Sequence, residues 1–374
     1  MSDALDDYRF MARALQLARR GLFTTHPNPR VGCVLVKEGR IIGEGFHARA
    51  GQPHAEINAL WNAGDAARGA TAYVILEPCC HQGRTPPCTN ALIQMGVKRV
   101  VAAMADPNPR VAGQGFAALA AAGIATHCGI MKAQARALNC GFISRMCRGR
   151  PWIRVKLAMS LDGRTALAGG ESRWISSEAA RNDVQYLRAR SSAILTGSGT
   201  VRADNPALTM RLTAADLGIG EPLPQPARVI LNTNLTIDPR ARVLEGPGHC
   251  IVFASVDAPD KIRRLESSNV EVVRVASHGP LLDLCQVMLV LGRREFNEVQ
   301  VEAGATLIGA LLNHGLADEL VIYMAPLLMG DSARGVAHLP GIKRMTDRLL
   351  LRIDDVRTIG DDLRITATPT APGH

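Results

Sequence analysis

The chain has 374 residues, 47% hydrophobic and 21% charged, which is too long for one ordinary core and too apolar for a disordered polymer. No stretch approaches the length of a membrane span, and the acidic start Met1-Ser2-Asp3-Ala4-Leu5-Asp6-Asp7 lacks a signal-peptide pattern. The net charge of +9 sits in the first half: residues 1–150 hold 18 Lys and Arg against 9 Asp and Glu, whereas residues 151–374 hold 25 of each.

Residues 8–20 place Phe10, Met11, Ala14, Leu15, Leu17 and Ala18 at helical spacing, and Gly21 stops the pattern. The loop Thr24-Thr25-His26-Pro27-Asn28-Pro29 is irregular, because its prolines remove donors and fix φ. Val31 to Val36 reads as a strand, Glu38-Gly39 as a hairpin turn and Arg40 to Phe46 as the return. A helix opens at His54, and a buried strand over 71–76 delivers Glu77-Pro78-Cys79. A second helix opens around Cys88-Thr89. A strand over 99–104, the loop Asp106-Pro107-Asn108-Pro109 and a helix over 114–122 follow. This alternation predicts a three-layer α/β domain.

His54-Ala55-Glu56, Glu77-Pro78-Cys79 and Thr85-Pro86-Pro87-Cys88 supply one imidazole, one carboxylate and two thiols, in the order of a zinc-dependent deaminase signature. Zn²⁺ takes nitrogen and sulfur ligands tetrahedrally, and three protein ligands leave a position for water. The metal acidifies that water, and a carboxylate beside it can carry a proton to a leaving amine. His54, Cys79 and Cys88 are therefore the candidate ligands and Glu56 the candidate acid/base. The competing reading is a closed structural site, with Cys80 or His81 as fourth ligand, in which Glu56 has no task. Eight residues separate Cys79 from Cys88 instead of the usual two, so spacing alone does not decide.

The words His26-Pro27-Asn28-Pro29-Arg30-Val31-Gly32, His54-Ala55-Glu56, Glu77-Pro78-Cys79, Gly83-Arg84-Thr85-Pro86-Pro87-Cys88 and Asp106-Pro107-Asn108-Pro109 resemble the bifunctional deaminase–reductase family of riboflavin biosynthesis. That family carries the long spacer between its cysteines. Cys80 stands where it has a small polar residue. The resemblance implies a cytidine-deaminase-like α/β/α fold and substrate contacts at Asn28, His47, Arg84, Asp106 and Asn108. Asn and Asp can read a pyrimidine edge, and Arg84 offers charge to a phosphate. The bland alternative is that Asn and Asp in Pro-rich loops only make turns.

The run over 141–152 marks a domain boundary, giving expected domains of 1–147 and 148–368 with a disordered tail over 369–374. The second half alternates strands near 153–158, 193–196, 227–231, 250–254, 270–275, 298–302, 319–325, 349–358 and 363–368 with helices over 177–190, 258–266, 281–292 and 307–313. Two small-residue turns, Gly197-Ser198-Gly199-Thr200 and Ala303-Gly304-Ala305-Thr306, suit a dinucleotide phosphate at a helix start, though neither is a G-x-G-x-x-G fingerprint. Tight turn packing explains them equally well without context.

Ser160-Leu161-Asp162-Gly163, Ser172-Arg173-Trp174-Ile175-Ser176 and Asp204-Asn205-Pro206-Ala207-Leu208-Thr209-Met210-Arg211 resemble the reductase half of the same family. This implies a dihydrofolate-reductase-like α/β domain that uses NADPH. Ala158, Trp174, Thr200, Asp204, Gly304, Ala305, Thr306, Leu307, Ile308, Gly309 and Ala310 are then expected at the cofactor. Lys156, Ser172, Arg188, Leu208, Arg211 and Glu302 are expected at the substrate, with Arg188 and Arg211 gripping a ribose phosphate. Two adjacent glycines usually follow the Glu in that family; Ala303 replaces the first, a concern if positive φ is needed there.

The resemblance implies zinc-dependent deamination of a diaminopyrimidinone carrying a phosphoribosylamino group, then NADPH-dependent reduction of its ribosyl group. The expected partners are Zn²⁺, NADPH, a small phosphorylated pyrimidine and further copies of the chain, with no nucleic acid and no membrane. Nine irregularly spaced cysteines without a secretion signal point to the cytoplasm. A deaminase of nucleic-acid bases suits the basic first half but leaves residues 151–374 without a task. A non-enzymatic zinc module joined to a nucleotide sensor leaves Glu56 without one.

Overall fold

The computed structural model describes residues 2–82, 86–220, 222–279 and 281–370. The chain divides into two compact units, Met1–Gly149 and Arg150–His374. The division falls two residues beyond the expected end of the first domain. That division falls inside the run over 141–152, whose first part, up to Arg148, belongs to a helix with Phe142 and Ile143 buried.

The first unit runs α1 (Ser2–Arg19), β1 (Gly32–Lys37), β2 (Arg40–Phe46), α2 (Ala55–Ala63), β3 (Thr71–Val74), α3 (Cys88–Gln94), β4 (Arg99–Ala102), α4 (Gln114–Ala121), β5 (Ala125–Cys128), α5 (Lys132–Leu138) and α6 (Cys140–Arg148). Its five-stranded sheet has the order β2-β1-β3-β4-β5. The β1–β2 pair is antiparallel, and β3, β4 and β5 are mutually parallel. Glu38 (φ 51°) and Gly39 (φ 73°) make the left-handed turn that a two-residue hairpin requires.

Helices pack on both sheet faces, as three layers demand. A Cβ on Gly32 would lie 2.1 Å from Ala14 O of α1. One on Gly45, which pairs with the next residue Cys33, would lie 2.3 Å from Ala55 O of α2. Successive strand residues face opposite ways, so α1 and α2 lie on opposite faces. The bare glycine lets the first turn of α2, bearing Glu56, sit directly on the sheet.

The second unit begins β6 (Trp152–Ser160), β7 (Arg164–Ala166), α7 (Glu178–Arg190), β8 (Ala193–Gly197), α8 (Ser198–Asp204), β9 (Ala227–Leu231), β10 (Cys250–Ala254), α9 (Pro259–Leu265) and β11 (Val270–Arg274). It continues β12 (Ser277–His278), β13 (Leu281–Leu282), α10 (Leu284–Arg293), β14 (Glu298–Val301), α11 (Ala305–Asn313), β15 (Glu319–Ala325), β16 (Arg334–Gly335), β17 (Leu350–Ile359) and β18 (Asp362–Thr370). A nine-stranded sheet has the order β11-β10-β9-β8-β14-β6-β15-β18-β17. It is parallel from β11 to β15, and β18 and β17 close it antiparallel. Buried apolar runs fill its middle, as parallel strands covered on both faces require. Ser177 caps α7 by accepting the N–H of Ala180, a bond worth about 1 kcal/mol.

Two expectations change here. The turn over 197–200 is mostly the first turn of α8. The tail does not begin at 369, because Pro369 and Thr370 pair with Leu351 and Leu350; residues 371–374 lie outside the described residues.

The edge strand β17 carries an exposed apolar face. Its bulge after Ile353 shifts the alternation by one, so Leu351, Ile353 and Val356 all pair with same-face residues of β18: Pro369, Ala367 and Ile365. Ile353 is 62% and Val356 54% exposed.

Candidate functional sites

In the first unit, His54 is the residue before α2 and Cys88 is the first residue of α3. Cys79 follows the β3 strand end, with its carbonyl accepting the N–H of Thr89 at 3.2 Å. His54 Nδ1 lies 3.6 Å from Cys79 Sγ and 3.3 Å from Cys88 Sγ. All three candidate ligand atoms fall within 4.8 Å of one another. A tetrahedral zinc with bonds of about 2.0 Å to nitrogen and about 2.3 Å to sulfur sets N···S separations of roughly 3.5 Å. The trio therefore has the spacing to hold the ion. Among the described residues no other such group exists, and neither Cys80 nor His81 joins this one. Cys80 Sγ lies 3.9 Å from Arg110 O.

Glu56 lies in the first turn of α2 and is buried. Burial pushes its carboxyl up to about 7, against the opposing charge of His54. A group at that value exchanges protons readily near neutrality. Cys79 and Cys88 share a proton: the hydrogen bond between their sulfurs lowers the Cys79 thiol and raises that of Cys88.

Asn28 and His47 form a pair. Burial lowers the His47 imidazole to about 4, so the ring is neutral at neutral pH. Its Nδ1 lies 3.2 Å from Pro53 O, an acceptor only, so Nδ1 carries the proton. Nε2 then accepts from Asn28 Nδ2 at 3.0 Å, which fixes the amide's orientation. The His47 and His54 rings meet edge-on with centroids 5.2 Å apart.

Asp106 is buried, and burial pushes its carboxyl up to about 7. It accepts the N–H of Asn108 at 2.8 Å, and Asn108 in turn accepts that of Arg110 at 3.1 Å. Asn108 thus makes a turn, the bland role weighed against contact with substrate. Arg84 lies outside the described residues.

Glu77 gains a role only from the structure. Its buried carboxylate accepts backbone N–H groups from Asp106 (3.1 Å), Gly113 (3.0 Å), Gly115 (2.9 Å) and Phe116 (3.3 Å). Its place directly before Pro78-Cys79 was the one available signal.

In the second unit the carboxyl ends of β6, β14 and β8 lie side by side, because the three strands are parallel neighbours. This brings together Ala158, the β14–α11 turn and the start of α8, the usual ligand-binding edge of such a sheet. Gly304 precedes α11 with φ −80°, and Ala303 is not among the positive-φ residues, so alanine there is unstrained. Gly304 and Thr306 are exposed, and Ala305, Leu307 and Ala310 half-buried. Ile308 and Gly309 instead face inward. Ile308 is in the core, and a Cβ on Gly309 would lie 2.0 Å from His338 O. Their side of the helix is packing and not ligand surface.

Thr200 is half-buried in α8, whose last residue Asp204 accepts from Arg173 Nη2 at 2.8 Å through its carbonyl. That bond ties the segment carrying half-buried Ser172 to α8. Trp174 is 69% exposed, with the Arg181 guanidinium 4.6 Å from its ring centroid. One ring face is thus occupied by a cation.

Lys156, in the middle of β6, stands level with Glu302, the residue after the parallel strand β14. Burial lowers the Lys156 ammonium, Glu302 opposing it, and Nζ lies 5.9 Å from the Tyr323 ring centroid. Arg188 does not present an open fork to a phosphate. It spends Nε and Nη2 on Glu302 and gives Nη1 to Thr209 O at 2.8 Å. Arg211 has an exposed side chain, and its N–H donates to Gln185. Leu208 buries its side chain in the core at φ 51°, leaving only its backbone for a ligand.

Comparison with known proteins agrees with this division. Residues 5–104 match the cytidine and deoxycytidylate deaminase zinc-binding region, and residues 151–365 match the RibD C-terminal domain. The riboflavin biosynthesis protein RibD of Escherichia coli is 50% identical over 364 residues, 96% of this chain and 98% of that one. The RibD of Bacillus amyloliquefaciens is 40% identical over 98% of this chain and 96% of its own. Among solved structures, Acinetobacter baumannii RibD superposes with a TM-score of 0.88 at 42% identity, covering 98% of this chain and 100% of that chain. A diaminohydroxyphosphoribosylaminopyrimidine deaminase/5-amino-6-(5-phosphoribosylamino)uracil reductase from Thermotoga maritima gives 0.84 at 33%, covering 98% of this chain and 99% of its own.

Proposed function

The chain belongs to the RibD family of riboflavin biosynthesis, and on that premise we propose that its two units catalyse consecutive steps through the residues just described. It is a bifunctional deaminase and reductase that uses zinc and NADPH. The first unit deaminates 2,5-diamino-6-(5-phosphoribosylamino)pyrimidin-4(3H)-one. The second reduces the ribosyl group of the resulting 5-amino-6-(5-phosphoribosylamino)uracil to a ribityl group.

His54, Cys79 and Cys88 hold the zinc, which when bound supplies Lewis acidity towards water. Glu56 takes a proton from the attacking water and returns it to the departing amine, so that ammonia leaves and oxygen remains on the ring. Asn28, oriented by neutral His47, and Asp106 present fixed polar groups to the pyrimidine edge. Arg84 supplies the phosphate's counter-charge.

In the second unit, the exposed backbone at Gly304–Thr306 receives the cofactor phosphate at the start of α11. The open face of Trp174 packs against the cofactor, with Ala158, Thr200 and Asp204 lining the same edge. NADPH supplies the hydride. Lys156, Glu302, Ser172 and Arg211 hold the substrate, with the Leu208 backbone beside them. Arg188 serves by holding Glu302 in place rather than by gripping phosphate.

The exposed apolar face of β17 supports association into a homo-oligomer, because a lone edge strand with such a face is an aggregation hazard. No helix among the described residues is long and apolar enough to cross a membrane.

The observation that carries this reading is the trio of ligand atoms within 4.8 Å, with a buried carboxylate on the helix that follows His54. Glu56→Gln tests it. Zinc content should hold at the wild-type level while ammonia release falls by about 10²–10⁴-fold. Undiminished ammonia release with zinc bound would refute the assignment.

A further inference from the structure

Glu77 neither belongs to the ligand trio nor carries the proton in the proposed deamination, yet four main-chain donors converge on it. We propose that Glu77 is a positioning residue of the deaminase site, locking Asp106 to the segment after β3 that bears Cys79. The inference rests on the proposed role of Asp106 at the pyrimidine edge.

Each carboxylate oxygen takes two donors. Oε2 accepts from Asp106 and Gly113, and Oε1 from Gly115 and Phe116. Gly115 and Phe116 are the second and third residues of α4, so their N–H groups are free of intrahelical partners. The Glu77 side chain fills that need while also holding the loop. Its main chain repeats the tie, with its N–H donating to Met104 O at 3.0 Å. Gly115 makes the approach possible, since a Cβ there would lie 2.2 Å from Pro78 O and 3.0 Å from Glu77 Oε1.

The opposite side of this joint is the metal site. Cys79 is two residues on, and its sulfur accepts the N–H of Cys88 at 3.3 Å. Asp106 is thus fixed twice, by Glu77 at its own N–H and by Asn108 at its carboxylate. A carboxylate suits the task and an amide does not. The NH₂ of a glutamine would face two of the four N–H groups, donor against donor.

The test uses the full chain with Glu77→Gln, Asp106→Asn and the double variant. Ammonia release, zinc per chain and NADPH oxidation are measured on each. Glu77→Gln should raise KM for deamination about tenfold and leave kcat within about threefold. Zinc content and NADPH oxidation should stay at wild-type levels. The double variant should be no worse than Asp106→Asn alone, because both substitutions disable one group.

Unchanged KM in Glu77→Gln would overturn the proposal, as would two effects that multiply in full. Should Glu77→Gln lose zinc, Glu77→Asp replaces it in the test: one methylene shorter, it cannot reach all four donors, and it should keep zinc and raise KM about tenfold. Zinc loss in both shows an architectural role only and also overturns it. Asp106→Asn with unaltered KM removes the substrate role of Asp106, and the inference falls with that reading.

Discussion

Arg188 and Glu302 face each other through two parallel hydrogen bonds, 2.7 Å from Nε to Oε1 and 2.8 Å from Nη2 to Oε2. Burial alone would raise the Glu302 carboxyl, but the Arg188 guanidinium, with Lys156 and Gln300, outweighs it and holds the value at about 2. The unfolded chain has it near the ordinary glutamate value of about 4.3. The native state therefore gains stability above the unfolded value and loses it as pH falls through about 2. Denaturant midpoints measured from pH 5 down to pH 2 should fall, and the fall should be shallower in Glu302→Gln. At pH 7 that variant should be less stable by roughly 3–5 kcal/mol, since it strands a buried cation. Equal pH slopes in the two proteins would contradict the pairing.

Removing zinc should separate the two activities. The trio lies wholly within the first unit, and the candidate NADPH edge wholly within the second. Chelation, or Cys88→Ser, should abolish ammonia release and spare NADPH oxidation when 5-amino-6-(5-phosphoribosylamino)uracil is supplied directly. Joint loss of both activities in a chain that keeps its circular dichroism would count against independent sites.

Trp174 offers one free ring face, the other being covered by Arg181. Replacing it by Ala should weaken NADPH binding about threefold to tenfold, the value of an aromatic stacking contact of about 0.5–1.5 kcal/mol. Trp174→Phe should restore most of the loss. Calorimetric titration with NADPH checks this, and an unchanged Kd in the Ala variant would remove Trp174 from the cofactor site.

The apolar face of β17 predicts its own disruption. Ile353→Lys places a charge at the middle of that face, where the side chain is 62% exposed and structurally undemanding. Sedimentation should show a smaller species than wild type with the thermal midpoint little changed. Identical sedimentation would place the interface elsewhere.

Much of this was legible in the sequence where local pattern and local chemistry coincide. Glu38-Gly39 announces a hairpin, and His54, Cys79 and Cys88 announce a ligand set. What escaped has physical causes. Strand β5, Ala125–Cys128, is exposed throughout, so it has no alternation to read. The helix α6 does not show in the boundary run, because its charges mask buried Phe142 and Ile143. Glu77 meets backbone donors 29 to 39 residues away, which no side-chain pattern can reveal. The same holds for Arg188, whose partner Glu302 lies 114 residues on and closes a fork that charge alone would assign to phosphate.

The order of the two activities on one chain, a zinc-dependent deamination and then an NADPH-dependent reduction, is open to direct measurement. It is tested most directly by following ammonia release and NADPH oxidation separately in one turnover experiment on the purified chain, starting from the diaminopyrimidinone substrate. Ammonia should appear with or without NADPH, and NADPH oxidation should follow only after ammonia has begun to form. In Glu56→Gln both signals should be lost from this substrate, with NADPH oxidation restored by adding the deaminated uracil. NADPH oxidation that precedes ammonia, or that proceeds in Glu56→Gln from the undeaminated substrate, would overturn that order.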